Sequence, residues 1–183
     1  LEPTSAFPIG SHTKMFVAAV VYQLQEQGLL STSDLVSEYL PEEIGMFPRS
    51  DDATIDHLLT HTAGLSDWEA SKETDSLGTR IYTGDPEALG QAMTTADLIS
   101  MTAELQDDPD QPTFAPGEPG QWSYANVGFN MLGLIIEQVT GQPWTEAVRE
   151  RVLEPLGMDD TVLVEGVAPA ELGLPSGYLA PPF

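Results

Sequence analysis

Apolar residues concentrate in two stretches at helical spacing. Over residues 11–27 the polar positions thin out after Lys14, and Met15, Phe16, Val17, Val20, Val21 and Leu24 cover most of a helical circumference. A helix apolar nearly all round belongs in the interior of a protein, and Gly28 supplies a left-handed stop. Over residues 126–140, Val127, Met131, Leu134, Ile135 and Val139 recur at helical spacing, and Gly141 ends the run. Shorter helices are predicted around this pair. One covers 35–40, with Ser33 or Asp34 as cap and Pro41 as terminator. Another covers 54–60, capped by Thr54. A third covers 95–105, with Leu98, Ile99 and Met101 inward, and a last one covers 144–153. Residues 161–164 are the one convincing strand candidate. The stretches 68–93 and 106–120, rich in Gly, Pro, Asp, Thr and Ser, read as long surface loops. No internal repeat or boundary divides the chain, so 1–183 is read as a single, mainly helical unit.

Composition narrows the function classes. Of 183 residues, 29 are Asp or Glu and 6 are Lys or Arg, a net charge of −23. That balance argues against nucleic acid and anionic membrane surfaces as partners, since both require basic patches. The longest apolar stretch, Met15 to Tyr22, is far too short to span a bilayer. Cysteine is absent, which removes disulfides, thiolate metal sites and a Cys nucleophile. Asp107, Asp108 and Asp110 form an acidic cluster, but the Gly and terminal Glu of a calcium loop are missing, so no metal site is expected. Nothing implies an organic cofactor. The chain begins at Leu1 with neither Met nor a basic leader, which reads as a processed, excised or trimmed product.

Two short motifs carry chemistry. In Ser11-His12-Thr13-Lys14, positions i and i+3 share a helix face, so the hydroxyl and the amine can meet. A Ser hydroxyl is a poor nucleophile until a neighbouring base takes its proton. A lysine serves as that base where burial or nearby positive charge lowers its pKa from about 10.4, and the helix N-terminus offers a backbone N–H to an oxyanion. The bland alternative is a capping Ser with an unrelated Lys; a Ser-x-x-Lys arises about 0.13 times by accident at this composition. The second motif, Tyr124-Ala125-Asn126, follows the turn-rich Pro116-Gly117-Glu118-Pro119-Gly120 and opens the other apolar helix. A phenol beside a cation can relay a proton, and an amide can hold a substrate carbonyl. Its alternative is a capping Asn with a half-buried Tyr, expected about 0.05 times by chance. Both motifs stand at the mouth of a buried helix, and accident does not readily produce both.

The sequence resembles the penicillin-recognising serine hydrolases: class C β-lactamases, serine-type D-Ala-D-Ala carboxypeptidases and related esterases. The resemblance runs through Phe7-Pro8-Ile9-Gly10-Ser11-His12-Thr13-Lys14, Gln27-Gly28-Leu29-Leu30 and Tyr39-Leu40-Pro41. It continues in Leu58-Leu59-Thr60-His61-Thr62-Ala63-Gly64-Leu65, Pro116-Gly117 and Tyr124-Ala125-Asn126. It ends in Glu154-Pro155-Leu156-Gly157-Met158-Asp159-Asp160-Thr161 and Gly177-Tyr178. It implies Ser11 as acylated nucleophile, Lys14 as its partner base, Tyr124 as second base or proton shuttle, and Asn126 as the residue that orients the substrate amide. The implied substrates are β-lactams, D-Ala-D-Ala peptides or small esters. A periplasmic or secreted setting is implied, with the cytoplasm left open.

The departures from the family pattern are informative. The family's third motif, Lys or His then Thr or Ser then Gly, lies on a strand facing the nucleophile, and this chain has none. His61-Thr62-Ala63-Gly64 follows a short helix and matches a structural motif, so His61 and His57 are read as structural. His12, about 100° around the helix from Ser11, is expected to face away, and Trp122 to pack in the core rather than line the cleft. The chain therefore reads as the helical part of an α/β sandwich, with most strands absent. Val17, Val20, Val21, Leu24 and Leu134 are then expected to need a further partner through self-association or another chain. The rival reading is a non-catalytic helical module that needs the missing sheet or a partner chain.

The acidity has two readings, a solubilising surface or adaptation to salt. Screening shortens the Debye length from about 10 Å at 0.1 M to about 3 Å at 1 M. If salt adaptation holds, the melting temperature rises substantially from low to molar NaCl, with KCl acting similarly. A flat curve in a thermal melt series assigns the charge to solubility alone.

Overall fold

A computed structural model describes residues 6–67, 85, 87, 90–105, 111, 114–166 and 171. A 3₁₀ turn, Gly10–His12, leads into α1 (Thr13–Glu26). After a second 3₁₀ turn, Val36–Glu38, come α2 (Pro41–Ile44), α3 (Ile55–Leu59), α4 (Thr95–Ala103), α5 (Asn126–Thr140) and α6 (Trp144–Val148). The last continues directly into a π-helical turn, Arg149–Leu153. Among the described residues there is no sheet, only an isolated antiparallel bridge between Leu35 and Thr54.

α5 is the axis, in contact with α1, α3, α4 and α6. Its buried residues include Val127, Met131 and Ile135 alongside Gly128, Leu132 and Ile136, two adjacent rows at i, i+4. Together they make an apolar arc too wide for one neighbour. Two glycines face these partners at ordinary contact distance: a Cβ on Gly128 would lie 3.6 Å from Leu58 of α3, and one on Gly133 would lie 3.4 Å from the Trp144 ring. Gly141 adopts φ +71°, the left-handed conformation that terminates the helix. α4 begins at Thr94, whose hydroxyl accepts the Asp97 N–H at 3.2 Å while Asp97 Oδ2 accepts the Thr94 N–H at 2.8 Å.

Several expectations need correction. Val17 is 4% exposed and Val20, Val21 and Leu24 are 0% exposed, so α5, α6 and the π turn cover this face of α1 without a further partner. Leu134 is half-buried against the same core. The large apolar side chains that α1 leaves outside are Met15 and Tyr22, 62% and 47% exposed. Residues 35–40 form no α-helix. Leu35 pairs with Thr54, the Val36 N–H donates to the Ala53 carbonyl at 2.8 Å, and only a 3₁₀ turn follows. Asp34 does not cap it; its carboxylate takes the Ser31 N–H and the Tyr39 hydroxyl. Pro41 starts α2 instead of stopping a helix, because the first turn has no use for the missing N–H. Residues 161–164 are not a strand. Leu163 packs inward and Val162 and Val164 outward, but no ladder partner lies beside them among the described residues. Glu165 anchors the segment, accepting the Thr95 N–H at 2.6 Å and Trp144 Nε1–H at 2.8 Å.

Residues 114–120 form turns, as expected of a loop. The rest of the 106–120 stretch apart from Gln111, most of 68–93, the Asp107, Asp108 and Asp110 cluster, and Gly177-Tyr178 lie outside the described residues. Among the described residues no helix is long and apolar enough to cross a membrane.

The 114–120 loop lies along residues 57–64. The Gly117 N–H donates to the Thr62 carbonyl at 3.0 Å, and a Cβ on Gly64, at φ +69°, would stand 2.2 Å from the Phe114 carbonyl oxygen. Gly64→Ala is therefore expected to cost on the order of 2–3 kcal/mol, from backbone strain and steric displacement together. Urea denaturation measures it; an unchanged midpoint would show that this loop does not press on Gly64.

Candidate active site

Ser11 and Lys14 sit one turn apart at the entry of α1, and Tyr124 and Asn126 flank the start of α5. Packing α1 against α5 brings the two pairs together across more than a hundred residues of sequence. Ser11 Oγ lies 2.7 Å from Tyr124 Oη, either able to donate. Lys14 Nζ donates to Ser11 Oγ at 3.4 Å and to Asn126 Oδ1 at 2.6 Å. It also stands 4.9 Å from the centroid of the Tyr124 ring and 5.5 Å from that of Phe129, where the aromatic faces attract a cation. All four residues singled out from the sequence meet in one cluster. Beside it, between α1, α4 and α5, is a cavity of about 160 Å³ lined by Lys14, Val17, Leu98, Phe129, Asn130 and Trp144.

Two residues that sequence reasoning passed over hold this cluster. Asp67 is 2% exposed and its carboxylate accepts the Asn126 N–H at 2.5 Å, capping α5 from a distant loop, since Ala125 has no side chain able to do so. Asn126 Nδ2 also points to Asp67, at 3.3 and 3.4 Å from its two oxygens, so the amide is fixed with its oxygen on Lys14 and its nitrogen on the carboxylate. Gln111, also buried, grips Asp67 by its backbone: its Oε1 accepts the Asp67 N–H at 2.8 Å and its Nε2 donates to the Asp67 carbonyl at 3.2 Å. No local pattern marks either residue, because each acts on a segment more than forty positions away.

The other expectations divide. His12 turns away from the pair as expected, its Nδ1 2.9 Å from the Ile9 carbonyl oxygen. His57 is structural as expected; its Nδ1 accepts the Thr54 N–H at 3.2 Å at the start of α3. Trp122 is not core: it is 62% exposed, with its ring edge-on to His61 at 6.0 Å. His61 stands at the site itself, its ring 4.5 Å from that of Tyr124. Burial first, and the Lys14 charge second, hold its imidazole below the ordinary histidine value.

The arrangement defines a class: a helical scaffold that sets a Ser-x-x-Lys turn against a Tyr-x-Asn turn. The sequence matches the family described as Beta-lactamase over residues 1–173, and the chain belongs to that family. Esterase EstB of Burkholderia gladioli is 35% identical over 165 residues, which are 87% of this chain and 39% of EstB. Among solved structures, a D-stereospecific amidohydrolase from Streptomyces sp. matches with a TM-score of 0.69 at 30% identity, over 84% of this chain and 43% of its own. The octameric penicillin-binding protein homologue from Pyrococcus abyssi matches at 0.65 and 31% identity, over 85% of this chain and 32% of its own. The chain spans 32% and 39% of the length of the first two curated relatives it matches.

Asp67→Ala would leave the first N–H of α5 without its carboxylate. The expected loss is about 1–3 kcal/mol, which at this chain length is roughly 2–4 °C of melting temperature per kcal/mol. A thermal melt followed by circular dichroism checks this. An unchanged melting temperature would show that another group satisfies Asn126.

Proposed function

We propose that this chain carries the nucleophile side of a serine hydrolase that works through an acyl-enzyme. The observation that supports the reading best is the contact of one hydroxyl with two proton-handling groups: Ser11 Oγ stands 2.7 Å from Tyr124 Oη and 3.4 Å from Lys14 Nζ. In this reading the Tyr124–Lys14 pair first gives up one proton to solvent, and Ser11 Oγ then attacks the substrate carbonyl carbon as its own proton passes to that pair. The tetrahedral oxyanion receives the Ser11 backbone N–H. Collapse breaks the bond to the leaving nitrogen or oxygen, which takes up that proton. Water then cleaves the Ser11 ester by the same groups in reverse. Asn126, its oxygen held by Lys14 and its nitrogen by Asp67, orients the substrate amide.

The substrates proposed are β-lactams, D-Ala-D-Ala peptides, as for a carboxypeptidase, or small esters. The Lys/His-Thr/Ser-Gly strand that the family places opposite the nucleophile is, in this proposal, supplied by sequence outside residues 1–183, which completes an α/β sandwich and the second oxyanion donor. One observation favours the companion reading, that the 183 residues alone are a helical module without turnover: the chain covers 39% of EstB and 43% of the amidohydrolase. Losing one oxyanion donor alone costs about 10²–10³ in rate.

The test is covalent. Full-length protein incubated with a fluorophosphonate ester or a β-lactam is expected to gain mass on Ser11. Ser11→Ala abolishes the adduct, and Lys14→Ala slows its formation by several orders of magnitude. Intact-protein and peptide mass spectrometry read the result; an adduct that persists in Ser11→Ala overturns the assignment.

A further inference from the structure

Tyr124 lies in an irregular segment between the turns at Gly120 and the start of α5, yet its hydroxyl must be held within hydrogen-bond distance of Ser11. One residue supplies the restraint. The His61 carbonyl accepts the Ser123 N–H at 3.1 Å, and His61 Nδ1 accepts the Ala125 N–H at 3.2 Å. Both peptide N–H groups that bracket Tyr124 in sequence are thus bonded to a single residue. The ring of that residue lies 4.5 Å from the phenol ring and tilted by 33°, with Phe129 behind it at 5.4 Å and Trp122 at its edge. His61 does this from φ +58°, a left-handed conformation uncommon for residues other than glycine. Such a conformation persists where the surroundings over-determine it.

We propose that His61 is a positioning residue for Tyr124, gripping the segment on both sides of the phenol and backing its ring, with Nδ1 as an obligatory hydrogen-bond acceptor. The proposal rests on the hydrolase reading above for the role of Tyr124. It goes beyond that reading by assigning His61 a tautomer and a consequence. Because the Ala125 N–H points at Nδ1, the ring proton must sit on Nε2. An imidazolium carries a proton on both nitrogens and cannot make this bond. The ionisable groups around the ring among the described residues act in one direction or are engaged elsewhere. Lys14 on α1 repels a second positive charge. Tyr124 is the neighbour being positioned, and α5 presents Phe129. His57 on α3 is bonded to the Thr54 N–H, and Asp67 is bonded to the Asn126 N–H and side chain. The neutral ring is therefore the folded form. Protonation is resisted down to a pH below the ordinary histidine value of about 6.5. When it occurs it releases Tyr124, so turnover falls on the acid side as His61 gains its proton.

The experiment uses full-length protein and three forms: wild type, His61→Ala and His61→Asn. Asparagine tolerates the left-handed conformation, and its Oδ1 can take the place of Nδ1 as acceptor without titrating. Nitrogen-15 spectra of the wild-type imidazole are expected to show the Nε2–H tautomer at neutral pH, independent of any activity. In ester hydrolysis, His61→Ala should lower kcat by roughly 10- to 100-fold with little change in KM, the scale for misplacing a reacting group. His61→Asn should recover most of that loss, and its acid limb should move to lower pH. An Nδ1–H tautomer, an unchanged kcat in His61→Ala, or a folded His61→Asn no better than His61→Ala overturns the proposal. If wild-type protein fails to form a Ser11 adduct, the hydrolase reading falls and this proposal with it. If the adduct forms and all three pH profiles coincide, only the proposal falls.

Discussion

The hydrogen bond from the Lys14 ammonium to Asn126 Oδ1 joins the two apolar helices at the end where the polar chemistry sits. An ammonium drawn partly out of water must have its donors satisfied. Here they meet Ser11 Oγ and Asn126 Oδ1, with the faces of Tyr124 and Phe129 alongside. Once the amide oxygen is committed to lysine, its nitrogen must face an acceptor, and Asp67 is that acceptor. The carboxylate also takes the first N–H of α5, so one buried group both orients the amide and caps the helix. Asp67 is in turn held by Gln111. The site is thus a chain of obligations passing from the Ser11 hydroxyl to a buried carboxylate.

What the sequence made legible follows from the range of each interaction. The two apolar helices, their glycine stop at Gly141 and the Thr54 cap depend on neighbours within a turn or two, and they stand where the pattern put them. Ser11, Lys14, Tyr124 and Asn126 were legible because each pair is local in sequence. Residues 35–40 and 161–164 misled because their conformation is decided elsewhere: Leu35 by its bridge to Thr54, and 161–164 by the grip of Glu165 on α4 and Trp144. The width of the apolar arc on α1 was read correctly but its consequence was not. The long helix α5, the short α6 and the π turn cover Val17, Val20, Val21 and Leu24, because the chain folds all three back onto α1. Asp67, Gln111 and His61 act across intervals that no local pattern spans.

The segment from α3 to Asp67 is best understood as a splint. It carries no nucleophile or base of its own in the proposed chemistry, yet it fixes the backbone on both sides of Tyr124 through His61 and the start of α5 through Asp67. Its left-handed residues, His61 and Gly64, bend it so that both contacts are made within seven positions of sequence. The left-handed cost at His61 is carried by the core around Leu58, Ala63 and Leu65.

The pairing of Ser11 with Tyr124 spans 113 positions, and that of Lys14 with Asn126 spans 112. Each helix can form from contacts within itself, whereas their junction closes most of the chain into one loop and must overcome the entropy of doing so. The site is therefore a non-local structure made of local parts. It comes together only when α5 has found α1, and it is the first thing lost if the two helices part at that end. Anything that bridges Ser11 and Asn126 ties the first helix to the fifth, so occupancy of the site and cohesion of the whole helical assembly are coupled quantities.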